Sequence, residues 1–253
     1  MKVAVTGATG RMGREVMDAA READHEVIGV SHSSAGEYAG VDIEPADEFG
    51  TLLSEHDPDA TIDFTLPDPS VSYVQDCAEA GVPAVVGTTG FSDDQYEELR
   101  AASEEVPVLQ AANFARGIQG LLSAVREAVA ALPGYDVELT ETHHNGKRDA
   151  PSGTANRVLD AIDDVRGDSP RVHGREGETP REEGEIGVHA RRAGDITGEH
   201  EVLLAGNHEE VRLTHRAGSR GVFAAGAVEA AEWLAGRSPG WYDFSDTLPD
   251  SQS

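Results

Sequence analysis

The sequence predicts an α/β protein in two parts: a doubly wound parallel sheet, then an α+β part built on an open mixed sheet. Three observations carry this. Short apolar runs alternate with helical patterns through residues 2–110, as in a parallel sheet wound by helices. Glycines at Gly7, Gly10 and Gly13 join the first apolar run to the first helical one. Beyond Phe114 the pattern changes, and polar and apolar residues alternate as in half-exposed strands.

In order, residues 2–6 read as a short buried strand. An amphipathic helix follows, with Met12, Val16, Met17 and Ala20 on one face. Strands are expected at 26–30, 60–65, 83–87 and 106–110, with helices at 47–56, 69–80 and 92–103 between them. The last of these helices has Ser92 and Gln95 at capping-box spacing. In the second part a helix at 117–132 ends at Pro133-Gly134, a strand starts at Asp136, and a helix follows over 152–165. Residues 166–185 are polar and rich in Gly and Pro, and read as a long mobile loop. Strands are expected near 186–190, 201–204 and 211–215. An alanine-rich helix at 223–234 is placed to pack back on the first sheet.

Composition excludes several classes of function. Against 47 Asp and Glu stand 20 Lys and Arg, a net charge of −27. Such a surface repels nucleic acid and anionic lipid. The acidic excess is spread along the chain, so it reads as a solvated surface of the kind suited to high salt. The apolar helix at 117–132 carries Arg126 and Glu127, so no membrane span is expected. The first strand begins at Lys2, which leaves no room for a signal peptide and makes the cytoplasm the expected location. The single cysteine, Cys77, sits in a helical pattern beside Val74 and Ala78 and reads as a small buried hydrophobe.

Gly7-Ala8-Thr9-Gly10-Arg11-Met12-Gly13 follows a strand and opens a helix, the context in which backbone N–H groups hold a pyrophosphate. The spacing is GxxGxxG, and a plain glycine turn is the alternative. An acid after the second strand would hold a ribose 2′-hydroxyl. Here the run is Val30-Ser31-His32-Ser33-Ser34, without a carboxylate to repel a 2′-phosphate. That tilts the cofactor toward NADPH over NADH, with Arg11 as a further phosphate contact. Gly87-Thr88-Thr89-Gly90 follows another strand, at the edge where such sheets bind ligands; a simple turn is the alternative.

The most informative stretch is Glu141-Thr142-His143-His144-Asn145-Gly146-Lys147-Arg148-Asp149-Ala150-Pro151-Ser152-Gly153-Thr154-Ala155. It runs from a strand end to a helix start. His143, His144, Lys147 and Arg148 make a local reversal of sign in an acidic chain, which suits an anionic substrate. Gly153 and Thr154 lie where helix N–H groups hold a carboxylate. A metal site is a poor alternative, because neighbouring residues on a strand point to opposite faces; no metal is expected. A solvated surface loop is the other alternative. Lysine usage weighs against it: the chain has only two lysines, Lys2 and Lys147, and its other basic residues are arginines. An ammonium can give up a proton near neutral pH, whereas a guanidinium effectively cannot.

These residues resemble the dihydrodipicolinate reductase family over nearly the whole chain. Its long Glu-x-His-His-x-x-Lys-x-Asp-Ala-Pro-Ser-Gly-Thr-Ala hallmark is matched from Glu141 to Ala155 at every fixed position. Further matches are Asp63-Phe64-Thr65, Ala111-Ala112-Asn113-Phe114, Arg192-Ala193-Gly194-Asp195 through Gly198-Glu199-His200, and Thr214-His215-Arg216-Ala217 through Arg220. The resemblance implies a Rossmann-type domain over 1–115 and 221–253. It implies a substrate-binding and oligomerisation domain over 116–220, and a homotetramer. It also implies NADPH- or NADH-dependent reduction of a small dicarboxylate, 4-hydroxy-tetrahydrodipicolinate, in lysine and diaminopimelate biosynthesis. By position, His143 is the acid/base residue and Lys147 the proton donor, while His144, Gly153 and Thr154 contact substrate. Gly7, Ala8, Thr9, Gly10, Arg11, Met12, Gly87, Thr88, Thr89, Ala111, Ala112, Asn113 and Phe114 hold the cofactor.

Two departures stand out. The family's acid after the second strand is missing, and Ala115-Arg116-Gly117 replaces the usual Ser and aliphatic residue before Gly. Another dehydrogenase of this architecture, or a catalytically silent nucleotide-binding module, remain the rival readings.

Overall fold

A computed structural model describes residues 1–32 and 36–248. In chain order the elements are β1 (Lys2–Thr6), α1 (Arg11–Glu22), β2 (Glu26–Ser31), β3 (Gly36–Tyr38), β4 (Val41–Pro45), α2 (Phe49–His56), β5 (Ala60–Asp63) and α3 (Pro67–Ala80). There follow β6 (Ala84–Val86), α4 (Asp93–Ala102), β7 (Pro107–Gln110), α5 (Arg116–Ala131), β8 (Asp136–His143), α6 (Gly153–Arg166) and β9 (Arg171–His173). The chain continues through β10 (Ile186–Arg192), β11 (Gly198–Gly206), β12 (Glu209–Ala217), α7 (Gly221–Leu234) and β13 (Gly240–Tyr242). It divides into two compact units, Met1–Phe114 with the chain from Arg220 onward, and Ala115–Ser219.

The first unit is built on an eight-stranded sheet in the order β13-β7-β6-β5-β1-β2-β4-β3. Its pairings are parallel except for the β3–β4 hairpin. The period of two along β1 decides which side each residue serves. Val3 and Val5 pack with Val16, Met17 and Ala20 of α1 and with Ala227, Ala231 and Leu234 of α7. Ala4, one step over, joins Val74 and Cys77 of α3 and Leu99 of α4 on the other face. Helices on both faces make the sheet doubly wound. The tail helix is therefore part of this unit, as its alanine content predicted. Ser92 caps α4 with the full capping box to Gln95. Burial pushes the Cys77 thiol up to about 12, so it is inert packing.

The second unit holds a mixed sheet in the order β12-β11-β8-β10-β9. Strands β8, β10 and β9 are parallel, and β11 and β12 run antiparallel to their neighbours. On β8 the alternation puts Val137, Leu139, Glu141 and His143 on one face, all buried. Helix α6 packs against β8 and α5 against β12.

Four strands were not expected: β3, β4, β9 and β13. The first two form the far edge of the sheet, where a short hairpin carries too little apolar alternation to show. The stretch 166–185 is also more ordered than a mobile loop. It contains β9, which pairs with β10. Arg181 reaches the Val137 carbonyl at 3.0 Å and Asp136 at 2.9 Å, and also pairs with Glu138. Arg175 pairs with Glu185. The polarity that suggested a loop instead supplies an ion-pair network across the sheet.

Candidate active site

In the first unit, the glycine turn lies at the carboxyl edge of the sheet. Gly7 has φ of +74°, and a Cβ there would lie 2.6 Å from the Phe64 carbonyl oxygen. A Cβ on Gly13 would lie 2.1 Å from the Gly7 carbonyl oxygen, so only glycine lets α1 start this close to the turn. The Ala8 N–H is spent on the Val30 carbonyl and the Gly10 N–H on the Gly7 carbonyl. Among the described residues no side chain caps α1, and its first turn holds no acid. The N–H groups of Arg11, Met12 and Gly13 precede the first intrahelical donor, Arg14. This shape suits a dinucleotide pyrophosphate.

The other predicted cofactor residues divide by burial. Ala111 and Phe114 are buried in the core, and Phe114 stacks edge-on against Phe64 and Phe244. Ala112 and Thr89 are exposed, while Thr9, Met12, Gly87 and Asn113 are half-buried. Thr88 is buried, and its hydroxyl donates to Asp63 at 2.6 Å. Of the run after β2, Thr9 and Ser31 share a 2.8 Å hydroxyl bond, whereas Ser33 and Ser34 lie outside the described residues. An acid does stand nearby. Pro45 at the end of β4 pairs in register with Ser31, and Asp47 just beyond it lies 3.4 Å from His32.

In the second unit, β8 ends at His143, and its last buried residues form a charged network. Glu141 is fully buried. Its carboxylate accepts two bonds from Arg192, at 2.8 and 2.9 Å, the Ser152 N–H at 3.2 Å, and the His143 Nδ1–H. Burial alone would push Glu141 up, but Arg192 and His143 outweigh it and hold the carboxyl below the usual range. Burial lowers His143, and Lys147 and Arg192 add to the effect while Glu141 opposes it. The imidazole is thus favoured neutral, with Nε2 presented as an acceptor. A Cβ on Gly198 would lie 3.1 Å from that Nε2. His200 stacks edge-on against His143 at 5.2 Å. Its Nε2 lies 3.1 Å from the Ser152 hydroxyl.

Past the strand, the chain turns through His144, Asn145 and Gly146, closed by the Lys147 N–H on the His144 carbonyl at 3.2 Å. The Lys147 ammonium sits 2.8 Å from the Asp149 carboxylate. Burial raises Asp149, but Lys147 and backbone donors, Gly153 among them, lower it overall. Ser152 caps α6 through the Ala155 N–H at 3.1 Å, which places Gly153 and Thr154 in the helix's first turn. His143, Lys147 and the start of α6 are therefore neighbours; His144 stands half-buried beside them.

Glu141 received no role from the sequence, although residues two apart on a strand share a face and could have pointed to it. Arg192 and His200 come from other strands, β10 and β11; both lie in a matched family segment, but neither was assigned a role from the sequence. Together these features suit a nicotinamide-dependent oxidoreductase of the doubly wound type. Family models for dihydrodipicolinate reductase match both halves, the N-terminal model at residues 1–114 and the C-terminal at 117–248. The chain belongs to the dihydrodipicolinate reductase family. It is 59% identical over 249 residues to a 4-hydroxy-tetrahydrodipicolinate reductase of Natronomonas pharaonis, covering 98% of this chain and all of that one. A Haloarcula marismortui relative of the same name is 51% identical, with 98% of each chain covered. Among solved structures, a dipicolinate-bound dihydrodipicolinate reductase from Paenisporosarcina sp. TG-14 matches with a TM-score of 0.81 at 25% identity, over 98% of this chain and 99% of that one.

Proposed function

We propose that the chain reduces 4-hydroxy-tetrahydrodipicolinate to tetrahydrodipicolinate, with loss of water, in lysine biosynthesis through diaminopimelate. The observation that carries this is the intact run from Glu141 to Ala155, folded so that a neutral imidazole, an ammonium and a helix N-terminus are neighbours.

The cofactor is NAD(P)H, which supplies the hydride. Gly7, Gly10, Arg11, Met12, the 87–90 loop and the 111–114 segment hold it at the carboxyl edge of the first sheet. NADPH is preferred, because no carboxylate follows β2 in sequence. The small dicarboxylate substrate is held by His144 and by the N–H groups of Gly153 and Thr154. One of its carboxylates replaces Asp149 as the anion facing Lys147 and Gly153. Reduction of a conjugated imine builds electron density on the ring; a nearby ammonium stabilises that charge and then gives the ring a proton, becoming a neutral amine. Lys147 is that donor. His143, neutral and held by Glu141, is the acid/base partner that accepts through Nε2.

The 116–220 region also serves oligomerisation, and a homotetramer located in the cytoplasm is the form we assign; sedimentation checks the assembly. No helix among the described residues is long and apolar enough to cross a membrane. Oxidation of NADPH with freshly generated substrate tests the function. Wild type should turn over, and Lys147→Ala should lose about 10²-fold or more. No turnover by wild type rejects the reading, and equal turnover by the variant removes Lys147 from its role. Repeating the assay with NADH ranks the cofactors.

A further inference from the structure

Asp63 closes β5 with 3% exposure. Four hydroxyls donate to its carboxylate: Thr6 and Thr65 to Oδ1 at 2.6 and 2.7 Å, and Ser70 and Thr88 to Oδ2 at 2.7 and 2.6 Å. A carboxylate has about four lone-pair positions, so neutral donors use its whole capacity. The donors come from four segments: the end of β1, the turn after β5, the first turn of α3, and the 87–90 loop. That loop is tied twice more. The Gly87 N–H donates to the Asp63 carbonyl at 2.8 Å, and the Thr65 N–H donates to the Thr88 hydroxyl at 2.9 Å. The residue after Asp63, Phe64, carries the carbonyl that approaches Gly7 so closely that no Cβ fits.

The 87–90 loop and the end of the strand that leads into the glycine turn thus meet on one buried carboxylate. We propose that Asp63 is a positioning residue of the cofactor site: it sets the 87–90 loop and the β1–α1 turn in the shape that accepts NAD(P)H. This rests on the reading that the edge holds the dinucleotide. Thr88 contributes through Asp63, because its buried hydroxyl already donates to the carboxylate and accepts from Thr65. An amide at position 63 turns one acceptor oxygen into a donor facing two hydroxyls, which must then rotate away.

Calorimetric titration with NADPH and NADH on the full chain tests this, alongside melting temperature and circular dichroism. Asp63→Asn should stay folded and bind NADPH at least about tenfold more weakly. Thr88→Val should weaken binding similarly, while Thr88→Ser, which keeps the hydroxyl, should stay close to wild type. Tight binding by wild type with an unchanged Kd in folded Asp63→Asn overturns the role of Asp63 alone. If Asp63→Asn does not fold, the Thr88 pair decides, and equal binding by the Val and Ser variants overturns the proposal. A wild type that binds neither nucleotide overturns the dinucleotide reading itself, and the role of Asp63 with it.

Discussion

Lowering the pH should loosen β11 through one residue, His200. It is 3% exposed, and burial first, then its neighbour His143, holds its imidazole down to about 4 from the ordinary 6.5. Above the unfolded value the ring is neutral in both states and costs nothing. As pH falls below it, the unfolded chain takes up a proton that the folded chain refuses, and stability is lost until the folded value is passed. Between about pH 7.5 and about pH 4.5 the loss is roughly 2.5 kcal/mol, or about 70-fold in the opening equilibrium. Both tryptophans, Trp233 and Trp241, lie in the other unit. Hydrogen exchange of the Gly198–Gly206 amides, corrected for intrinsic rate, is therefore the suitable measurement. His143 and His215 are also lowered by burial and add a slope of the same sign. The difference between wild type and His200→Gln isolates His200. An equal pH dependence in the two proteins would refute the reasoning.

Other perturbations probe the rest of the site. Glu141→Gln leaves the Arg192 guanidinium beside a neutral amide and releases the hold on His143. Turnover should fall by about 10²-fold with a displaced pH profile, and unchanged kinetics would show that Glu141 does not orient His143. Asp47→Asn removes the carboxylate that the chain just after β4 sets beside His32. The ratio of kcat/KM for NADPH over NADH should rise about fivefold, the worth of roughly 1 kcal/mol at an exposed site. No change would place the ribose elsewhere. With a net charge of −27, resistance to urea should drop when salt falls below about 0.1 M, where the screening length passes about 10 Å. Full stability in dilute buffer would mean that the acidic surface is not an adaptation to salt.

Much of the fold was legible because it rests on local periodicity. The glycine turn after β1, the apolar face of α1, the capping box of α4 and the alanine-rich α7 each follow from residues within a few positions of one another. So did the site's nucleus, since Glu141 through Ala155 is one continuous strand end, turn and helix start, and a lysine there is conspicuous in a chain that otherwise uses arginine. The missed elements are the ones without local contrast. Strand β9 is three residues in a polar stretch and exists because β10 offers it an edge. The hairpin of β3 and β4 likewise depends on β2 as a template.

By itself, then, the sequence determined the alternation of strands and helices, the glycine turn, and the family to which the 141–155 run belongs. Tertiary structure decided how these residues are tuned. Strand pairing brings Arg192 across to Glu141, stacks His200 on His143, and sets Asp47 beside a β2 end that carries no acid in its own run. Four hydroxyls from separate segments meet on Asp63. Burial and charge at short range fix protonation and orientation, and both depend on distances in space that separation along the chain does not encode.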